Sequence, residues 1–313
     1  MFIITHRKFF YALSVLLTIV SIAGVALFGL KPGIEFTGGG LSEISYVGER
    51  PSIDELYGAL SALPLGTVLV QQAGEKGMIV RVQELPSADR AAFLSALSVG
   101  GTYTPHEDRF DLVGPSIGTE LARKAWVSIA LVVAGIMLFI AFAFRGISDS
   151  NGSENDTGIG AWHYGTIALI VLVHDLIVPT GVFAILGHWF INAQIDTLFV
   201  TALLVILGYS VHDTIVVFDR VRENLKKARD NRVRIPFDRL VGESLSQTFG
   251  RSINTSLTVV IVLIALLALG SAATANFVLV LLIGILAGTY SSIFLGTPLL
   301  VTVSGWKQKS STK

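Results

Sequence analysis

The stretch TLFVTALLVILGYSVHDTIVVFD, residues 197–219, combines a long apolar run with a carboxylate placed well inside it. The stretch is long enough to cross a hydrocarbon layer of ~30 Å as a single helix. Asp213 lies about two helical turns before its end. Because burying a carboxylate in hydrocarbon is costly, an acidic side chain at this depth indicates a functional role.

The composition of the chain places it among integral membrane proteins. Of its 313 residues, 52% are hydrophobic and only 15% are charged, and the mean hydropathy is +0.67. A soluble domain of this length would need far more charge to cover its surface. The formal net charge of zero argues against a nucleic-acid-binding protein.

No motif for enzymatic chemistry is visible in the sequence. The chain has no cysteine, which excludes disulfides, thiolate zinc sites and cysteine nucleophiles. Its six histidines lack metal-ligand spacing such as H-E-x-x-H, and there is no G-x-x-x-x-G-K-[ST] phosphate-binding loop. We therefore predict a protein that is not an enzyme and that uses no metal or other cofactor.

Six segments are long and apolar enough to span the membrane as α-helices. The first is too long for a signal-peptide core and lacks a small-residue cleavage site, so we predict that it stays uncleaved. Lys and Arg concentrate near the N-terminus, between 220 and 251 and in the C-terminal tail, which predicts that both termini are cytoplasmic and that 31–123 lies outside. The predicted spans are 9–30, 124–144, 162–187, 196–218, 250–270 and 275–303.

The hydrophilic segment 31–123 has the pattern of a small α+β domain. Residues 41–47 alternate like a strand, and 52–63 open with a serine cap and an acidic first turn, which is typical of a helix. Two strands flank a glycine-containing hairpin turn at 73–76, and a second helix and a final strand follow. The order βαββαβ predicts a ferredoxin-like fold.

Glycine-rich junctions connect this domain to the spans on either side. Because glycine permits backbone angles that other residues avoid, the junctions are candidate hinges, with tight turns at the membrane surface as the alternative. The hinge candidates are Gly38, Gly39, Gly40, Gly114, Pro115 and Gly118.

Two polar segments are predicted on the cytoplasmic side. The segment 146–160 is rich in Gly, Ser and Asn and is expected to form a loop. A second segment mixes basic and acidic residues around Pro236, which predicts an amphipathic helix, a turn and a helix leading into the fifth span. The chain then divides into a tail with the first span (1–30), the α+β domain (31–123), the second span (124–144), a polar loop (145–161), the third and fourth spans (162–218), the amphipathic segment (219–249), the last two spans (250–303) and a basic tail (304–313).

Ionisable side chains inside the spans define the candidate site. Asp213 in the fourth span and Arg251 at the start of the fifth should lie at a similar depth from the cytoplasmic side. His174 and Asp175 lie near the middle of the third span, and the pattern V-H-D-x-I-V occurs in both the third and the fourth. Intramembrane charges of this kind usually mark ion or proton pathways.

Two readings of the Asp213 environment follow from its chemistry. Burial favours the neutral carboxyl, whereas the nearby Arg251 guanidinium favours the charged one, so Asp213 could take up a proton from one side and release it to the other. The alternative is a static pair that fixes two helices. Asp175 is either a second polar site or a helix–helix hydrogen bond. The polar residues that could support a relay by Asp213 and Arg251 are Asp175, His174, His212, Ser210, Thr214 and Asn254.

Motifs along the chain resemble the signatures of the SecF family, within the resistance-nodulation-division superfamily. The resemblance covers both ends and all six spans, and the motifs occur in the family's order. They are GIEFTGG (33–39), VGPSIGTEL (113–121), GYSVHDTIVVFDRVRENL (208–225), QTFGRSINTSLT (247–258) and GILAGTYSSIFLGTPLL (284–300).

The resemblance implies a multi-pass protein of the bacterial cytoplasmic membrane with six transmembrane helices and a periplasmic domain after the first. It further implies a complex with SecD, beside the SecYEG channel and often with YajC. Such a complex uses the proton-motive force to promote late steps in the translocation of exported polypeptides. Matched by position, the resemblance implicates Asp213 and Arg251 in proton movement.

The sequence departs from the family pattern at two positions, and two other functions stay open. His212 stands where many relatives have Asn, and Glu35 replaces the more usual Asp. One alternative is a non-conducting scaffold for SecD and the channel. Another is a small-molecule exporter of the same superfamily, which six spans and a single small domain disfavour.

Overall fold

A computed structural model describes residues 2–85, 89–145, 160–191 and 194–311, so almost all of the predicted polar loop lies outside the described residues. Within the described part of the chain, six helical segments are long and apolar enough to cross a membrane, as the hydropathy pattern predicts. After a short helix α1 (Phe2–Thr5), they are α2 (Arg7–Phe28), α6 (Pro115–Ala143), α7 (Ala161–Leu186), α8 (Thr197–Asp230), α9 (Phe237–Leu269) and, for the sixth span, α10 (Ala272–Ser291) followed by α11 (Thr297–Ser311).

The α+β domain lies between α2 and α6. Its four strands form an antiparallel sheet in the order β2-β3-β1-β4, which is the ferredoxin-like arrangement predicted from the sequence. Residues from both of its longer helices, such as Leu56 and Phe93, share one core with Ile44 and Met78 of the sheet. Its elements are α3 (Ile34–Thr37), β1 (Gly39–Tyr46), α4 (Ile53–Leu60), β2 (Val68–Ala73), β3 (Gly77–Val82), α5 (Arg90–Ala96) and β4 (Pro105–Val113).

Some helix boundaries differ from the predicted ones for local reasons. Helix α6 begins at Pro115 rather than at 124, because proline is favoured at the first helical position and polar residues can continue the helix beyond the apolar part. Helices α8 and α9 extend the fourth and fifth spans through most of 219–249. The predicted turn before Pro236 and the helix that leads into the fifth span are present, whereas the predicted amphipathic helix is a continuation of the fourth span.

The sixth span is interrupted near its middle. A π-helical turn at Ser292–Gly296 separates α10 from α11, where the hydropathy pattern predicts one continuous helix. π-Helical turns are rare and often occur at functional sites. This one follows Ser291, and the hydroxyl-bearing side chains of Ser291 and Ser292 are both buried in the helical bundle.

Small residues allow the central helices of the bundle to approach closely. Helices α7, α8 and α10 bury many residues, whereas few residues of α6 and α9 are buried within the bundle. A Cβ at Gly181 would lie 2.3 Å from Cα of Ser21, and one at Gly284 would lie 2.1 Å from the side chain of Ile206. The bundle therefore has α7, α8 and α10 at its centre and presents apolar faces of α6 and α9 to its surroundings.

Glu55 provides a pH-dependent test of the α+β domain. Ser52 donates its backbone N–H to Glu55 over 2.7 Å, and this bond, with that of the Ser52 hydroxyl, lowers the pKa of Glu55 below its ordinary value of 4.5. A carboxyl group whose pKa is lowered by folding stabilises the folded state at pH values above its ordinary pKa. This stabilisation is lost as the pH falls through the lowered pKa. In Glu55→Gln, we expect faster hydrogen exchange in the first turn of α4 at neutral pH, and the difference from wild type should disappear in acid.

Hydrogen exchange followed by mass spectrometry, corrected for intrinsic exchange rates, measures this effect. Glu49→Gln, at an exposed position in the loop before α4, is the matched control. A difference between Glu55→Gln and wild type that stays constant across the acidic range would contradict the assignment of the cap.

Candidate functional site

Polar side chains from four helices meet inside the bundle. Two carboxylates, Asp175 on α7 and Asp213 on α8, expose only 0% and 2% of their surface. Because hydrocarbon offers no hydrogen bonds, buried polar groups need partners within the protein. The buried hydroxyl groups of α8, α9 and the sixth span include those of Ser210, Thr214, Ser252, Ser256, Thr289, Ser291 and Ser292.

Asp175 is the more densely hydrogen-bonded of the two carboxylates. Its Oδ1 lies 2.9 Å from Nδ1 of His174. Its Oδ2 accepts hydrogen bonds from the hydroxyls of Ser210 on α8 and, over 2.8 Å, Ser291 on α10. Asp175 therefore joins three helices, which is the helix–helix role expected for it as one of two alternatives.

His174 is held on one side and has a free nitrogen on the other. Its ring is almost fully buried, and its Nε2 has no hydrogen-bond partner among the described residues. The ring lies near that of Tyr290, with 6.3 Å between centroids, and the Tyr290 hydroxyl is in turn 3.1 Å from that of Ser14. An unpartnered imidazole nitrogen in the bundle interior can accept or donate a hydrogen bond, depending on the tautomer.

Asp213 has looser surroundings than Asp175. The hydroxyl of Ser256 on α9 donates to its Oδ2 over a long distance of 3.5 Å. The same hydroxyl lies 2.7 Å from that of Thr289 and 3.1 Å from that of Tyr209. Since each hydroxyl can donate or accept, this group can reorient when the charge on Asp213 changes.

Further hydroxyl groups connect the surroundings of the two carboxylates. Thr214, the neighbour of Asp213 in the chain, has its hydroxyl 2.8 Å from that of Ser292. The Ser292 hydroxyl also donates to the backbone carbonyl of Ser210 over 3.2 Å, and the side chain of Ser210 reaches Asp175. Asp175 and Asp213 therefore belong to one polar band across α7, α8 and the sixth span.

The structure does not bring Arg251 into contact with Asp213. Arg251 is exposed, and within the described part of the chain no ion pair joins the two, although the Arg251 charge still acts on Asp213 through space. Ser252 and Ser256 occupy the inward face of α9, so the residue before Ser252 is directed outward. The expected close pair is not formed, and neither is the static pair offered as its alternative.

Other polar residues around Asp213 face outward. Nδ1 of His212 lies 3.8 Å from Oδ1 of Asp213, while 55% of the His212 side chain is exposed. Asn254, one helical turn from Arg251 on α9, is also exposed. His212 lies near the carboxylate, as its position next to Asp213 in the sequence predicts, whereas the outward direction of both side chains depends on how α8 and α9 pack.

The glycine-rich junctions have different local structures. Gly38 and Gly39 have positive φ angles of 82° and 128°, which favour glycine, whereas Gly40 continues strand β1. Gly114 is the N-cap of α6 and Pro115 its first residue. Gly118 lies inside α6 instead of in a turn, and a Cβ there would lie 2.8 Å from the backbone nitrogen of Gly38. Its role is therefore close packing, because the two junctions touch each other.

Glu35, Asp196 and Arg81 form a second polar cluster, which no pattern in the sequence predicts. Oε2 of Glu35 accepts a hydrogen bond from the backbone N–H of Thr197 over 2.6 Å, and Asp196 is the N-cap of α8. Arg81 on β3 interacts electrostatically with both carboxylates. Asp196 directly before an apolar run is a recognisable cap signal, but the contact with Glu35 spans 162 positions and leaves no local signal.

Comparison with solved structures defines the class of protein. The crystal structure of SecDF from Thermus thermophilus matches 97% of this chain with a TM-score of 0.80 and 27% sequence identity. The match extends over 38% of the SecDF chain, so this chain spans less than half of that protein. With six candidate membrane-spanning helices and a ferredoxin-like domain among its described residues, this chain is a membrane protein of the resistance-nodulation-division type.

Comparison with other sequences gives the family. The family model described as "Protein export membrane protein SecD/SecF, C-terminal" matches residues 159–306. "Protein translocase subunit SecF" of Thermobaculum terrenum is 41% identical over 98% of this chain and 94% of that relative. "Protein translocase subunit SecDF" of Bacillus subtilis is 29% identical over 98% of this chain and 39% of its own length. The chain belongs to the SecF family.

The different packing of the two carboxylates gives a stability prediction. Replacing Asp175 by Ala leaves His174 and Ser210 without their shared acceptor, whereas Ser291 keeps its bond to the Gly288 carbonyl, and each buried polar group left unpaired costs about 1–3 kcal/mol. Replacing Asp213 by Ala removes one long hydrogen bond. In thermal unfolding in lipid nanodiscs, followed by tryptophan fluorescence, we expect Asp175→Ala to lower the midpoint clearly more than Asp213→Ala. Equal midpoints would contradict this account of the site.

Proposed function

We propose that this chain is a subunit of a SecDF-type complex of the bacterial cytoplasmic membrane, where it uses the proton-motive force to promote late steps of Sec-dependent protein translocation. Asp213 is the proton carrier in this proposal, with Arg251 as its partner, and the proton relay is coupled to movement of the α+β domain. The observation that carries it is a carboxylate with 2% exposure inside a membrane span, to which the Ser256 hydroxyl donates over a long 3.5 Å. Membership of the SecF family supports the role in translocation.

The surroundings of Asp213 suit a group that changes its protonation state. Asp175, by contrast, accepts short hydrogen bonds from the buried hydroxyls of Ser210 and Ser291 on two neighbouring helices. Asp213 instead has the Ser256 hydroxyl and the nearby imidazole of His212. The hydroxyls can donate to the charged carboxylate and accept from the neutral one, so either form finds a partner.

Arg251 has a conditional role in this proposal. Its guanidinium is exposed in the present arrangement and does not pair with Asp213. A movement of α9 relative to α8 that brings the Arg251 guanidinium closer to Asp213 would favour the charged form of the Asp213 carboxyl group, which would then release its proton. The movement itself would couple proton release to a change in the bundle.

SecD is the partner that the exposed polar residues favour. Arg251, Asn254 and His212 face the surroundings of the bundle, although polar groups directed into lipid are unfavourable. A second membrane subunit with complementary groups would satisfy them. The SecDF relative of Bacillus subtilis, in which the corresponding sequence is part of a longer chain, supports SecD in this place.

The remaining features of the proposal come from the family resemblance and the charge pattern. They are association with the SecYEG channel and YajC, contact with the exported polypeptide, cytoplasmic termini, and a periplasmic position for 31–123. The protein has no enzymatic role in this proposal.

A non-conducting scaffold for SecD is the second candidate function. The dense hydrogen bonding of Asp175, which ties three helices together, favours it.

Asp213→Asn separates the two candidates. Asn keeps the size of the side chain but cannot exchange a proton, so we expect the stimulation of export by a proton gradient to be lost while the complex with SecD still assembles. Export from membrane vesicles, with and without a gradient, measures the first quantity, and co-purification measures the second. Undiminished stimulation in an assembled complex would refute proton carriage, and loss of assembly would favour the scaffold.

Crosslinking tests the proposed SecD surface. The chain has no native cysteine, so single cysteines can be placed without background. We expect Asn254→Cys on α9 to crosslink to SecD in membranes. Leu131→Cys on α6, also exposed, is the control and should react with lipid-phase reagents only. Equal crosslinking at both positions, or none at Asn254→Cys, would contradict this surface.

A further inference from the structure

One side chain of the α+β domain region is bound directly to the beginning of the fourth span. Glu35, on α3, accepts a hydrogen bond from the backbone N–H of Thr197 at a distance of 2.6 Å. Asp196 accepts the N–H of Phe199 over 2.7 Å. Two of the first backbone donors of α8, which have no partner within the helix, are therefore satisfied by carboxylates.

This contact is strong for a single side chain. The N-terminus of a helix carries a partial positive charge, and a hydrogen bond to a carboxylate is roughly twice as strong as one between neutral groups. Backbone bonds add to it, because Ile195 donates to the carbonyl of Lys31 over 2.9 Å and Gly33 donates to that of Ile195 over 2.7 Å. The chain before α3 and the chain before α8 are thus held side by side.

The connection from Glu35 to the sheet is short. Helix α3 ends at Thr37, and strand β1 begins at Gly39, with the positive-φ Gly38 between them. Strand β1 lies in the middle of the sheet, paired with β3 on one side and β4 on the other. A displacement of Glu35 would therefore be transmitted directly to β1, a central strand of the domain.

Charged groups of the sheet surround the same contact. Burial lowers the pKa of Arg81, while the carboxylates of Asp196, Glu43 and Glu35 act in the opposite direction. Arg109 and Asp111, which form an ion pair of 2.7 Å, line the same cavity of about 460 Å³ between the sheet and α8. The attraction between Arg81 and the two carboxylates at the end of α8 reinforces the hydrogen bond of Glu35.

We propose that Glu35 is a positioning residue that transmits movement of α8 to the α+β domain. Helix α8 runs without interruption from Thr197 past Asp213, a distance of about 24 Å at the α-helical rise. A shift of this helix when Asp213 changes its protonation state reaches Thr197, and the carboxylate of Glu35 conveys it to β1. The inference rests on the proposed function, in which proton uptake at Asp213 moves the domain.

Pulsed electron spin resonance between two labels tests this coupling in the complete protein in nanodiscs. Gly58→Cys on α4 and Thr201→Cys on α8 provide labelling sites at exposed positions in a chain without native cysteine. We expect one narrow distance distribution in wild type and a shifted one in Asp213→Asn. Glu35→Ala should broaden the distribution, make it independent of Asp213→Asn, and abolish gradient-stimulated export. The equilibrium between attached and detached domain should change by roughly tenfold, as for one charge-assisted hydrogen bond.

Two further variants make the outcome decisive. Glu35→Gln retains an acceptor oxygen for the N–H of Thr197 and should restore a narrow distribution, whereas Glu75→Ala, in the hairpin turn and exposed, should behave as wild type. A wild-type distribution in Glu35→Ala overturns the proposal, as does a broadened one with normal export, because the contact would then be structural only. If Asp213→Asn leaves the distance distribution unchanged in the protein that retains Glu35, the proposed function fails. The effect of Glu35→Ala on the distribution then still decides whether Glu35 holds the domain.

Discussion

Every polar group inside a membrane span must find its partner within the protein, because the surrounding hydrocarbon supplies none. This requirement explains why hydroxyl residues of α8, α9 and α10 point towards the same region as two carboxylates. Asp175 meets it completely, with partners on three helices. Asp213 meets it only weakly, through the long hydrogen bond from Ser256 and the more distant imidazole of His212. The contrast between the two acids separates a group that fixes helices from one that can change its state.

The same requirement accounts for the interruption of the sixth span. A continuous α-helix would carry Ser291 and Ser292 at the normal spacing of 100° per residue, in which adjacent side chains diverge. The π-helical turn that begins at Ser292 accompanies the burial of both side chains, so that one serves Asp175 and the other Thr214. Irregular backbone in a membrane is tolerated where it is enclosed by protein, as it is here.

Hydropathy and charge were sufficient to predict the six spans, the βαββαβ domain and the acids of the site, because these depend on periodicity and composition along the chain. Helix ends were predicted less well, since polar residues continue α6 and α8 beyond the apolar runs. The outward orientation of the Arg251 side chain and the contact between Glu35 and Thr197 could not be predicted. Both depend on how distant helices rotate and pack, and neither leaves a pattern within a short window of sequence.

The arrangement also explains how a buried acid could influence a domain that it does not touch. Tightly packed helices are bistable and do not deform continuously, so a change at one point is passed on as a displacement of the whole element. Helix α8 is bound at one end through Thr197 and carries Asp213 further along. Asp175 on α7 is hydrogen-bonded to this same helix through Ser210 and to α10 through Ser291, so a displacement of α8 also acts on these two neighbours. A carboxylate that is held loosely beside one that is held firmly is the combination that such a movement requires.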